Sequence, residues 1–247
     1  MKRALLLIII ATLCYSFQTS VTVAKPKVRV KLLTNLISNQ TTEYFYEPLG
    51  HITRIKSSNG NEISYEYLSG KMILRRYNEI KRGTTFVDTM MLNKSGLVEK
   101  ITSNNPAIIT QTHEYNKDKN LILNTYVYPI KDSVTFSHNS YEYQNGNEVS
   151  NILKETTGEI RWITKSTYYT DKTNTIGNED LGSDFVGTSS KNPIKSFVSG
   201  ASGQEMLTTN YNYHYDDKGR IIIKASYALK TGKLTDSVTY SLSLIHI

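Results

Sequence analysis

A chain of 247 residues, 38% hydrophobic and 21% charged, has the length for one large β domain or two small ones, and its mean hydropathy of −0.39 marks a soluble type. Its formal charge of +7 comes from interspersed Lys and Arg, a mildly basic surface suited to acidic polysaccharide or lipid headgroups rather than a nucleic-acid clamp. A single cysteine excludes a disulfide framework.

The first 24 residues carry the pattern of an export leader. Lys2 and Arg3 precede an apolar run over 5–13, and Val21-Thr22-Val23-Ala24 supplies a small residue at a cleavage point before Lys25. The run is too short for an ordinary spanning helix. Cys14 lies inside this leader, and Leu13 stands where a lipid-anchor site needs a small residue.

After the leader, one strand–turn–strand unit recurs. It opens at Tyr44-Phe45-Tyr46, with Gly50 in the turn and Ile52 on the return, and Asn59-Gly60 marks a further hairpin. Tyr65-Glu66-Tyr67 with Gly70 repeats it. Degenerate copies follow over 88–101, with Gly96 at the turn, and over 113–128, where Asn120 is expected to take the left-handed turn position. Tyr141-Glu142-Tyr143 with Asn145-Gly146 continues the series. The clearest copy, over 208–227, sets Tyr211, Tyr213 and Tyr215 on one strand face, then Asp216-Asp217-Lys218-Gly219, then Ile221-Ile222-Ile223. Spacing near twenty residues signals a repeated supersecondary element, and no long stretch keeps apolar residues at helical spacing. Residues 171–204 break the rhythm and are rich in Gly, Ser, Asn and Asp. They predict an irregular cap with enough apolar content, such as Phe185, to pack on the sheet. Residues 242–247 match the in-frame translation of a transposon-end adapter used in sequencing libraries and are expected to be extraneous.

The expected architecture is all-β: a single domain over 25–241, an antiparallel meander of repeated hairpins that curls into a barrel or rolled sheet and hides its edges.

Catalytic patterns are weak. His51, His113, His138, His214 and His246 have no metal-ligand spacing, and Gly200-Ala201-Ser202-Gly203-Gln204 fails as a nucleophile elbow. Glu66, Glu114, Glu142, Asp216 and Asp217 could in principle pair for glycoside hydrolysis, but each falls beside a Tyr or in a turn. No cofactor, metal or catalytic residue is expected. The remaining constellation is aromatic: the ladder Tyr44/Tyr46, Tyr65/Tyr67, Tyr126/Tyr128, Tyr141/Tyr143 and Tyr211/Tyr213/Tyr215 reads either as cross-strand packing or as an exposed platform for a glycan or an envelope protein, with Tyr65, Tyr67, Tyr141, Tyr143, Tyr211, Tyr213 and Tyr215 as the binding residues.

The units YEYLSGKMI, YEYQNGNEV and YHYDDKGRIII resemble the YD repeats of Rhs-type proteins. With the leader and the segment Gly187-Thr188-Ser189-Ser190-Lys191-Asn192-Pro193-Ile194-Lys195-Ser196, the chain is similar to a family of exported β-rich domains of unknown function with a porin-like fold, found among secreted proteins and lipoproteins of Bacteroidota. That resemblance implies a porin-like fold and an exported envelope protein, and it carries no catalytic residues to transfer. The chain is therefore expected to be a non-catalytic exported protein, periplasmic, outer-membrane-associated or secreted. It is expected to bind a glycan or protein through its Tyr-rich faces, without nucleic acid and without a stable membrane span. The alternatives are a structural repeat segment of a longer surface or secretion-linked protein, a carbohydrate-active enzyme, or an integral outer-membrane barrel.

Overall fold

The two-residue alternation is realised in sixteen antiparallel strands, described by a computed structural model over residues 27–79, 83–107, 110–130, 133–201 and 204–245. The leader, Cys14 and His246 lie outside the described residues. The strands are β1 Lys27–Asn35, β2 Thr41–Tyr46, β3 Ile52–Ser57, β4 Glu62–Leu68, β5 Met72–Glu79, β6 Thr84–Leu92, β7 Val98–Ser103 and β8 Thr110–Tyr115. They continue as β9 Leu121–Ile130, β10 Ser133–Gln144, β11 Asn147–Glu155, β12 Ile160–Tyr168, β13 Ile194–Ala201, β14 Gln204–Tyr215, β15 Ile221–Ala228 and β16 Leu234–Ile245. Each pairs with its sequence neighbours and β16 returns to β1, so the meander closes into a barrel and leaves no sheet edge for another chain to extend. Residues 242–245, suspected above of being extraneous, continue β16 against the start of β1.

An up-and-down meander puts alternate turns at opposite rims. Every Tyr-x-Tyr turn therefore falls on one rim, called here the turn rim: 47–51, 69–71, 93–97, 116–120, 145–146 and 216–220. Asx side chains brace three of these turns. Asn93, Asn116 and Asp216 each accept from the backbone N–H groups two and four residues on. Gly96 and Gly219 then supply positive φ, 78° and 73°. In the 116–120 turn that role falls to Lys119, with φ 64°, and not to Asn120 as expected. Asn120 sits one place later and is buried.

Near this rim every odd-numbered strand except β5 carries a β-bulge. The residues left without a partner are Lys31, Thr53, Glu99, Ile122, Val149, Lys195 and Ile222. A bulge sharpens local twist and bend, and repetition around the sheet is what curls it to closure. It also interrupts the ladder and frees a carbonyl. Tyrosines take up five of those carbonyls: Tyr67 donates to Ile52 at 2.8 Å, Tyr115 to Val98 at 2.9 Å and Tyr213 to Ile194 at 2.9 Å. Tyr46 and Tyr168 do the same to Val30 and Glu148.

The irregular segment is shorter than the expected 171–204. It spans 169–193, because Ile194–Ala201 is β13 and Gln204 already opens β14. It folds across the turn rim and fastens to several sides of it. Val30 donates to the Asp180 carbonyl and Ile52 to that of Gly182, while Thr188 donates to Lys119 and Lys191 to Gly146. The Thr175 hydroxyl receives the Ile221 N–H. Gly182 is required where it sits: its φ is 67°, and a Cβ there would lie 2.7 Å from the Gly50 oxygen and 2.9 Å from the Tyr46 ring. A short 3-10 turn, Asp184–Val186, drives Phe185 into the apolar core beside Ile52, Ile73, Met90, Val98 and Ile101.

Candidate functional site: a tyrosine-lined lumen

The strand alternation decides which side chains face the lumen. On β4, β10 and β14 the tyrosines are partly buried, while Glu66, Glu142, Asn212 and His214 between them are exposed. All seven tyrosines singled out from the sequence turn inward, and none forms an outer platform. Tyr65 and Tyr67 pack against Phe185 of the cap, with ring centroids 5.9 and 6.3 Å away. Tyr143 and Tyr213 line a cavity of about 350 Å³ beneath the cap, together with Tyr141, Glu148, Tyr168 and Lys224. Tyr211 stands beside Phe197, centroids 6.0 Å apart, and Tyr215 beside Tyr213 at 6.4 Å. The rings thus form an inner belt around the barrel instead of one cluster.

The lumen is polar as well as aromatic. Arg75 and Asp88 are paired, with Nε 2.9 Å from Oδ2. Lys224 lies over the Tyr211 ring, 4.5 Å from its centroid. Burial pulls its amine below the usual range, an effect Asp236 opposes. Burial raises the carboxyls of Glu148 and Asp180. It also raises the phenols, to about 12 for both Tyr115 and Tyr141. In each case burial disfavours the charged form.

One stretch of wall differs from the belt; its tyrosines belong to the ladder read from the sequence but not to the seven expected as binding residues. On β9 the rings of Tyr126 and Tyr128 stack nearly parallel, 6.0 Å apart and 16° from coplanar. Neither phenol is among those that reach a bulge carbonyl. Tyr126 accepts from Asn124 Nδ2 at 2.9 Å, and the Tyr128 hydroxyl lies 3.3 Å from Ser137 Oγ. Asn139 on β10 stands opposite Asn124 in the register, and Tyr141 follows it on the same face. Asn124 is 5% exposed, and its Oδ1 has no hydrogen-bond partner among the described residues. Directly opposite it in the register stands His113, whose buried Nδ1 likewise has no hydrogen-bond partner among the described residues. Burial holds the His113 ring below its usual pKa and so uncharged. The Tyr-x-Tyr spacing at 126–128 was visible in the sequence. The amides on alternate and neighbouring positions carried no motif that marked them.

The other histidines and the carboxylates do not converge. His51 pairs with Glu47 beside the Tyr67 ring, His138 bonds Thr125 at 2.9 Å, and His214 is exposed on the outer wall. Glu66, Glu114 and Glu142 face outward on three separate strands, where Glu66 meets Arg76 at 2.9 Å. Asp216 is tied to Arg220 within its turn, which holds its carboxyl below the usual range.

No family model and no curated protein matches the chain. Among solved structures, it is similar to a porin-like protein from Bacteroides uniformis, with TM-score 0.61 and 18% identity over 86% of this chain and 96% of that one. A porin-like protein from Bacteroides vulgatus gives TM-score 0.51 and 13% identity over 86% and 98% of the two chains. At these identities the likeness is one of fold, a closed antiparallel barrel.

Proposed function

We propose that this is a non-catalytic, exported envelope barrel that binds a glycan on the lumenal wall built by β8, β9 and β10. The observation that carries the reading is the Tyr126–Tyr128 stack beside Asn124 and Asn139. Stacked phenols offer apolar faces to the C–H side of a sugar ring, and the amides with their spare acceptor suit its hydroxyls. The repeat tyrosines that bond bulge carbonyls already have structural work, whereas the β9 pair does not. The carboxylates considered for hydrolysis stand on the outer wall or in turns, which supports binding without turnover.

The porin-like neighbours and the leader support an envelope location. The outer wall supports a barrel that stands in water. Exposed Arg54, Lys56, Lys100, Glu114, Glu142, Lys154 and Lys165 are spread from β3 round to β12, whereas a spanning barrel presents an apolar band to lipid, and a buried Lys or Arg there costs about 2–4 kcal/mol. The strand–turn–strand grammar supports kinship with YD-repeat proteins, and the tyrosine–bulge bonds give that grammar a structural reason. They also favour a second reading, in which the repeats serve only to build a barrel within a longer surface protein.

Affinity electrophoresis through gels containing neutral and acidic envelope polysaccharides separates the two. The glycan reading expects at least one polysaccharide to retard the protein and the double variant Tyr126→Ala, Tyr128→Ala to run freely. Equal mobility of both proteins in every gel would leave the structural reading standing.

A further inference from the structure

The rim opposite the cap carries an apolar arc that the lumenal site does not use. Among the described residues, Leu36, Ile37, Leu49, Leu68, Met91, Leu207, Leu229 and Leu234 are the large hydrophobics with marked exposure. Leu36, Ile37, Leu229 and Leu234 form the arc on this rim, on the adjoining strands β1, β15 and β16, whereas Leu207 on the same rim shares the lumenal face of Tyr211 and Tyr213. Leu36 and Ile37 form the turn after β1 and are 50% and 53% exposed, Leu229 lies in the turn after β15 at 52%, and Leu207 and Leu234 lie near the starts of β14 and β16. Backbone bonds hold the arc together: Leu36 donates to the Ser237 carbonyl at 2.7 Å and Leu229 to that of Thr208 at 3.0 Å. Tyr227, on the outer face, pairs across the strands with Leu234.

The charge on this arc has one sign at its tips. The turn 229–233 holds exposed Lys230 and Lys233 between Leu229 and Leu234, and neither it nor the turn 36–40 contains an acid. Aliphatic tips flanked by lysines, with a tyrosine a step behind, fit the boundary between acyl chains and anionic headgroups. The exposed charges from β3 round to β12 keep that side of the barrel out of the bilayer.

We propose that this arc docks the barrel edge-on to the surface of an anionic lipid bilayer, without spanning it. The arc lies across the barrel from β9, so docking leaves the Tyr126–Tyr128 wall on the far side of the lumen.

Vesicle flotation of the purified, exported chain tests the proposal, using phosphatidylcholine alone and phosphatidylcholine with about a quarter phosphatidylglycerol. The protein is expected to float with the mixed vesicles, to remain behind with phosphatidylcholine alone, and to be released by high salt. The paired substitutions Leu36→Asp, Leu229→Asp and Lys230→Glu, Lys233→Glu should each lower the bound fraction by about tenfold. The same charge change at the turn rim, Lys94→Glu with Lys218→Glu, should leave it unchanged. An unaltered unfolding midpoint in each variant confirms that the barrel is intact. Equal flotation of all variants, or no flotation with the mixed vesicles, overturns the proposal. So does a dimer by light scattering that Leu229→Asp dissolves, which would assign the arc to a second copy of the chain.

Discussion

Tyr115 illustrates the role of a repeat tyrosine. Its ring closes the lumen side of the hairpin, and its hydroxyl satisfies the Val98 carbonyl that the bulge at Glu99 removed from the ladder. Val98 is fully buried, so water is a poor substitute. Tyr115→Phe is expected to lower stability in urea unfolding by about 1–3 kcal/mol, the cost of a buried group left unpaired. The same burial sets an alkaline limit. Phenols in an unfolded chain ionise near pH ~10, whereas Tyr115 and Tyr141 are pushed up to about 12. A folded value raised in this way contributes stability that is fully present below the unfolded value and is lost as pH rises through the folded one. The unfolding midpoint should therefore hold to about pH 10 and fall between there and about 12, tracking tyrosinate absorbance. Lys119 offers a gain instead. It holds φ 64° where sister turns have glycine, so Lys119→Gly should raise stability by up to about 1 kcal/mol, read as a higher melting temperature.

At the scale of elements, the cap is held by backbone bonds to strands and turns that are far apart in sequence, and Gly182 is its tightest seat. Adding a methyl group there meets the Gly50 carbonyl and the Tyr46 ring. Gly182→Ala should unseat this corner, costing about 2–4 kcal/mol and speeding proteolytic cleavage within 169–193, while the strands keep their amide protection. The strands and turns were legible because alternation and Asn/Asp/Gly turn residues are local signals, as at Tyr65–Gly70 and Tyr211–Gly219. The end of the cap was not, because Ile194–Ala201 mixes Ser and Gly into a strand whose only assurance is pairing with β12 and β14. The bulges were also hidden. At Ile52–Thr53 or Val98–Glu99 nothing local distinguishes an unpaired residue from a paired one; the partner strand decides. The inward sense of the tyrosines was hidden for a related reason. Both faces of strands such as β10 carry polar residues, so polarity did not mark the wet side.

At the scale of the whole molecule, pairing of β16 with β1 converts a meander of marginal hairpins into a continuous wall, capped at one rim and carrying charge outside and tyrosine inside. A barrel of sixteen strands is wide enough to enclose an aqueous interior, which is why so many inward rings remain only partly buried. In that interior Tyr46, Tyr67, Tyr115, Tyr168 and Tyr213 hold bulge carbonyls, and we assign the stacked β9 pair, which holds none, to a ligand. The most direct test is a calorimetric titration of an oligosaccharide, cut from whichever polysaccharide retards the protein, into three proteins: the wild type, Tyr126→Ala and Tyr213→Phe. The account predicts that Tyr126→Ala weakens binding by about tenfold or more with its unfolding midpoint nearly unchanged. Tyr213→Phe should lose stability and keep its affinity. Wild-type affinity in Tyr126→Ala, or a loss shared equally by both variants, would contradict a lumenal site on β9.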